Sequence, residues 1–270
     1  MNDRRIRPAV IVGIDGSRAA LHAAEWGAEE AVSRHVSLLM LAIIKPTHLS
    51  AEDYHRDVSH AEKSLRAAQV AIEAMGTPVK VETEILRGPP GAILASESDD
   101  AEMICVGSVG IGRYSRALLG STATEVAEKA HCPVAVIRSQ PGQSGPNINW
   151  IVVAVGDSAE RDTVVDQAMR EAQLRKLPVL AIATVPTDAA EAPSHELDNR
   201  LWPWTRWYPD VHIYPVTSGV DVTRFLKTID DLTPMAVVGA ADAGDLAQIV
   251  GPHDHSVLRH AQSSVLIVRE

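Results

Sequence analysis

Short apolar runs bounded by turn residues recur along the chain. Between them lie longer stretches in which apolar residues return every three or four positions. In the first half the runs predict strands at about 9–14, 37–44, 79–86, 102–106 and 133–138. Uninterrupted apolar runs of that length suit strands buried on both faces of a parallel sheet. After the first run, Ser17 predicts a helix N-cap, and Leu21, Ala24, Ala28 and Ala31 then share one helical face. Strand and helix in alternation predict an α/β fold with helices on both sides of the sheet. Right-handed crossovers leave few topologies, of which a doubly wound five-stranded sheet is the simplest, and the order 3-2-1-4-5 is expected. Such sheets take ligands beyond the carboxyl ends of their strands, where the order reverses. The positions that follow Ile14 and Val106 are therefore the first to inspect.

The pattern occurs twice. AVIVGIDGS (Ala9 to Ser17) returns as WIVVAVGDS (Trp150 to Ser158), 141 residues later. MICVGS from Met103 returns as MAVVGA from Met235 at an offset of 132, and CPVAVIR from Cys132 as SSVLIVR from Ser263 at 131. The falling offset predicts a second copy with a shorter centre. SQPGQSGPNI (Ser139 to Ile148) between them has the Pro, Gly and Ser content of a linker. Two tandem domains are expected, residues 1–140 and 148–270.

Charge and composition narrow the partners. Of 270 residues, 25 are Lys or Arg and 35 are Asp or Glu, a formal net charge of −10 with no basic cluster. That balance argues against nucleic acid or anionic lipid as a partner. Met1 to Pro8 carries four charges before an apolar run too short for a signal-peptide core, and no run is long enough to span a membrane. Cys105 and Cys132 sit in or beside apolar runs and read as buried, reduced thiols of a cytoplasmic protein. Zinc signatures of the Cys-x-x-Cys or His-Glu-x-x-His kind do not occur.

The chemistry gathers after strand four, in GSVGIGRYSRALLGSTATEVAEKA (Gly107 to Ala130). Gly107, two residues, Gly110, nine residues, then Gly120 and Ser121 form a glycine loop that leads into a helix. Glycines there are expected to admit positive φ and to let backbone approach a ligand. Ser121, Thr122 and Thr124 open the helix, whose free amides and dipole favour phosphate. Asp15, ending strand one in GIDGS, offers a carboxylate to ribose hydroxyls or a base amine; its other reading is plain turn and cap chemistry. Arg113 and Arg116 in the loop read as exposed arginines rather than phosphate ligands.

This spacing resembles the nucleotide signature Gly-x2-Gly-x9-Gly-[Ser/Thr] of the universal stress protein family, and VGIDGS, MICVGS and CPVAVIR resemble its first, fourth and fifth strands. The resemblance spans nearly the whole chain as a tandem pair of Rossmann-like domains. It implies ATP, with or without Mg2+, in the first copy. Gly13, Ile14 and Asp15 would face adenosine, Ala42 would supply a backbone contact to adenine, and Val106, Gly107 and Gly110 would line the loop. Gly120, Ser121 and Thr122 would hold the phosphates. It also implies association through the fifth strands, so that VAVIR and VLIVR pair as a pseudo-dimer within one chain, with a homodimer of chains as a further step.

In the second copy the corresponding stretch is GAADAGDLAQIVGPHDHS (Gly239 to Ser256). Asp242 replaces the second glycine, the spacer is eight residues, and Pro252 follows Gly251 and removes an amide donor. Gly156 stands in place of Asp15, with Asp157 next. Asp242 and Asp245 would repel a triphosphate, so this copy is not expected to bind ATP. Gly156-Asp157-Ser158 has the look of a hydrolase nucleophile block but lacks the Asp-x-x-His that should accompany it. His253, His255 and His260 with Asp254 read as surface histidines rather than metal ligands. The stretch LWPWTRWYPDVHIYP holds Trp202, Trp204, Trp207, Tyr208 and Tyr214, either as packing around the shortened centre or as an exposed patch.

The resulting expectation is a cytoplasmic ATP-binding stress-response sensor, not a turnover enzyme. No Gly-x4-Gly-Lys-[Ser/Thr] occurs and no acidic pair suggests a two-metal site, although slow hydrolysis or autophosphorylation near Ser121 or Thr122 stays open. The alternatives are an adaptor that needs no nucleotide and a cyclic AMP binder that uses the same crevice.

Overall fold

The computed structural model describes residues 8–46, 50–110, 119–139, 149–156, 158–184, 194–226, 228, 234–241 and 263–269. The backbone separates into two compact units, the first extending to Pro146 and the second covering Asn147–Val268.

The first unit runs β1 (Ala9–Ile14), α1 (Arg18–Ser33), β2 (Ser37–Ile44), α2 (Ala51–Ala74), β3 (Val81–Arg87), α3 (Pro90–Glu97), β4 (Met103–Gly107), α4 (Ser121–Lys129) and β5 (Val134–Ile137). Its strands are parallel in the order β3-β2-β1-β4-β5. In β1, Val12 is registered with Met40 of β2 on one side and Cys105 of β4 on the other. Both neighbours of β1 are central strands, and Val10, Val12, Leu38, Met40, Met103, Ile104 and Cys105 are fully buried. That burial on both faces is why these strands read as unbroken apolar runs. The edge strand β3 has no fully buried residue and exposes Thr83, Glu84 and Arg87, and the Glu82 carboxylate lies 2.9 Å from Lys80 Nζ. Charge on an edge discourages pairing with another chain.

Helix α1 approaches the sheet closely because its inner face is built of Ala19, Ala20, Ala23, Ala24, Ala28 and Ala31. Gly27 completes it; a Cβ there would stand 2.9 Å from Val12 Cγ2. Helices α1 and α2 pack together, as do α3 and α4, so the winding reverses after β3 and the switch point falls between β1 and β4. The expected strands are present, with β3 and β4 beginning two and one residues later and β5 shorter at both ends. At the start of β5 the physical reason is Pro133, which accepts from Ile104 N–H (3.0 Å) but has no amide to give the ladder.

The second unit runs β6 (Trp150–Val155), α5 (Ala159–Arg175), β7 (Val179–Thr184), α6 (Ser194–Trp207), β8 (Ile213–Ser218), α7 (Val222–Leu226), β9 (Pro234–Gly239) and β10 (Ser264–Val268). Its parallel order, β10-β9-β6-β7-β8, is that of the first unit read from the other edge. The repeat extends to fine detail. Ser158 caps α5 as Ser17 caps α1, and each helix is followed by a non-glycine residue in the left-handed region, His35 at φ 58° and Lys176 at φ 55°. The shortened centre shows in α6, of 14 residues where α2 has 24.

Cys105 is fully buried and Cys132 nearly so, and burial pushes the Cys132 thiol up to about 11. At pH 7.5 that leaves about one thiolate in three thousand, against about one in ten for an ordinary cysteine. Iodoacetamide is therefore expected to leave both thiols of the folded chain unmodified for an hour and to alkylate both in guanidinium. Mass-spectrometric detection of native-state alkylation would count against this packing.

Candidate functional site

The loop between β1 and α1 is set by its own side chains. Ser17 N–H donates to Asp15 Oδ1 at 2.9 Å, and Ala20 N–H donates to Ser17 Oγ at 3.1 Å. Asp-Gly-Ser thus makes an Asx turn that runs straight into an N-cap. Gly16 between them sits at φ +85°, a conformation that suits glycine. The turn uses one carboxylate oxygen of Asp15 and leaves Oδ2 aimed across the crevice at Gly110, where a Cβ would stand 2.5 Å from it. Turn chemistry and a carboxylate presented to the crevice are therefore both present in the same half-buried residue.

Of the glycines opposite, Gly107 and Gly110 are needed, and not for the positive φ expected from the sequence. None of Gly107, Gly110 and Gly120 adopts a positive φ. Gly107 is glycine because α1 passes over it: a Cβ would lie 2.7 Å from both Ala19 C and Ala20 N. Gly110 is glycine because of Asp15. Gly120, at φ −67° and ψ 143°, has room for a Cβ among the described residues, the nearest of their atoms being Ser108 O at 3.4 Å. Its amide donates to that same Ser108 oxygen at 2.8 Å, which holds the far end of the loop against β4.

Gly120 is the N-cap of α4 and offers no side chain, and the first turn carries no acidic residue. Among the described residues the amides of Ser121, Thr122 and Ala123 are thus left without a capping acceptor, at the positive end of the helix dipole. These elements enclose a cleft of about 520 Å³, within the range of small-molecule sites. Gly13, Ile14, Asp15, Ala42, Val106, Gly107, Gly110, Gly120, Ser121 and Thr122 all line it. Apolar walls come from Leu41, Ile43, Val109, Pro90 and Leu94.

A further wall was not foreseen. Asp57, His60, Ala61 and Ser64 of α2 also line the cleft, together with Lys45 just beyond β2. Their spacing (i, i+3, i+4, i+7) marks one helical face, and three polar side chains with an alanine on that face were the available signal. The loop residues Arg113 and Arg116 lie outside the described residues.

The second unit's crevice holds about 210 Å³ and is lined in part by Ser158, Arg161, Val237 and Gly239. Arg161 stands where the first unit has Ala20, and its side chain lies over Gly156 so closely that a Cβ at 156 would overlap its Cδ. The bulk of that one side chain thus reduces the space. Asp157, Asp242, Asp245, Gly251, Pro252 and the histidines at 253, 255 and 260 lie outside the described residues. Among the described residues no cluster of His, Cys, Asp or Glu could hold a metal ion, and no helix is long and apolar enough to cross a membrane. The aromatic stretch divides: Trp204 is buried, Tyr208 donates to Asp166 Oδ1 at 2.8 Å, and Trp202, Trp207 and Tyr214 are exposed. Helix α6 runs through Pro203.

With this geometry in place, the chain was compared with known proteins. The sequence profile described as the universal stress protein family matches residues 8–138. Universal stress protein Rv2624c of Mycobacterium tuberculosis is 54% identical over 260 residues, covering 96% of each chain. Universal stress protein Rv3134c of the same organism is 41% identical, over 84% of this chain and 86% of that one. Among solved structures, a universal stress protein from Archaeoglobus fulgidus superimposes with a TM-score of 0.67 at 17% identity, covering 97% of this chain and 96% of that one, a likeness of fold alone.

Proposed function

The chain belongs to the universal stress protein family, and from that premise we propose that its first unit binds ATP as a sensor or regulator of a stress response. One observation carries the reading: a carboxylate oxygen of Asp15 and the uncapped amides of α4 face the same cleft of about 520 Å³. An adenine nucleotide has both requirements, hydroxyls that donate to a carboxylate and phosphates that accept from amides. The apolar stretch between them, Ile14, Leu41, Ala42 and Val106, suits the base, with Ala42 offering its backbone. Gly120, Ser121 and Thr122 hold the phosphates in this reading, and a magnesium ion would take its oxygens from phosphates and water. Binding, rather than turnover, is the proposed activity, in a cytoplasmic setting.

Isothermal titration of the full chain with ATP is expected to saturate at one nucleotide per chain, with a Kd of about 1–100 µM. The second unit is expected to add nothing, given its Arg161-filled crevice of about 210 Å³. Two nucleotides per chain would overturn that assignment. No saturable binding at millimolar ATP would favour the adaptor reading, and cyclic AMP displacing ATP with higher affinity would favour a cyclic-nucleotide site. Pairing of the two copies within a chain, and of chains with each other, stays part of the proposal. The mass in solution separates one chain, 29.0 kDa, from two.

A further inference from the structure

The α2 wall touches the chain that carries Asp15. His60 Nε2 lies 3.3 Å from the Asp15 carbonyl oxygen, and since a carbonyl only accepts, the ring nitrogen is the donor. The helix is seated on that loop without a gap: a Cβ at Gly16 would stand 2.7 Å from Ser64 Oγ and 3.0 Å from His60 Nε2. Ser64 Oγ in turn donates to the His60 carbonyl at 2.9 Å, one turn back along α2. Asp15 thus has three neighbours: Ser17 N–H bonded to Oδ1, His60 bonded to the carbonyl, and Gly110 facing Oδ2. Two of the three belong to the signature loops. The third comes from a helix with no part in either.

We propose that His60 is a positioning residue: it fixes the main chain of Asp15 and so sets how strongly the cleft selects a ribose over a deoxyribose. The inference rests on the nucleotide reading of this cleft. A carboxylate discriminates a diol only if its oxygen is held at hydrogen-bonding distance, because a charged hydrogen bond weakens steeply as its geometry loosens. Without the His60 contact the loop keeps its Asx turn and its fold but gains freedom at the one carbonyl that ties it to α2.

The test is a comparison of ATP with 2′-deoxy-ATP on the full chain. Wild type is expected to prefer ATP about tenfold, the worth of one hydrogen bond to a charged group. His60→Ala and His60→Phe, which lack the donor but differ in bulk, are expected to bind ATP about fivefold more weakly and 2′-deoxy-ATP within about twofold of wild type. His60→Gln, whose amide can donate to the same carbonyl, is expected to restore most of the preference. His60 is exposed, so all three variants should melt with the wild type. Equal loss for both nucleotides, or no loss for either, would overturn the inference while leaving the nucleotide site standing. A wild-type chain that binds neither nucleotide would remove the site and this inference with it.

Discussion

Gly110→Ala is expected to weaken ATP binding by about 100-fold, close to 2.7 kcal/mol, while the melting temperature moves by no more than about 2 °C. The added methyl would stand 2.5 Å from Asp15 Oδ2, where no carbon–oxygen contact is tolerated. The carboxylate can escape only by rotating, and Oδ1 is tied to Ser17 N–H. Relief therefore means giving up the Asx turn or turning Oδ2 out of the cleft. Gly110 is exposed, and among the described residues a Cβ there would meet Asp15 alone, so the fold has little reason to respond. Asp15→Ala supplies the control. If Gly110→Ala acts through the carboxylate, the double variant should bind no worse than the weaker single one. Affinity within threefold of wild type, or losses that simply add, would refute the crevice-spanning role of Asp15.

Gly107→Ala, three residues earlier in the same signature, is expected to act on the fold instead. Its methyl would meet Ala19 C and Ala20 N at 2.7 Å, which are backbone atoms of α1's first turn and cannot swing aside. Alanine in place of glycine ordinarily gains roughly 0.5–1 kcal/mol from the unfolded state. Displacing a helix from its sheet costs about 3 kcal/mol, at the upper end of overpacking, so a net loss of about 2 kcal/mol is expected. For a unit of this size that lowers the midpoint by roughly 5–10 °C, readable by calorimetry as a shift of the first unit's transition. A midpoint at or above the wild-type value would show that α1 does not bear on Gly107. The pair of variants separates two glycines that look alike in the motif: one serves the site, the other the packing that supports it.

Much of this molecule was legible before any coordinates. Apolar runs and helical spacing locate β1 to β5, and Ser17 announces α1. The duplication at offsets near 141 and 131 foretells a second sheet, because parallel strands buried on both faces leave a signal that depends only on local order. Handedness leaves few strand orders, and the simplest of them gives the switch point, so the ten candidate positions from Gly13 to Thr122 could be named and do surround one cleft. What local order could not show is which atom meets which across the fold. Gly107 looks like a ligand-facing glycine until α1 is laid over it, and Asp15 looks like a choice between turn and site until Oδ2 is found against Gly110. His60 and Ser64 sit 45 and more residues from the loop they touch, and Arg161 looks like a surface residue until it is seen over Gly156. Secondary structure and topology are set by periodicities of a few residues, which a sequence displays directly. The walls of a cleft are set by steric exclusion between segments far apart in the chain, and only the folded backbone brings those segments within contact distance.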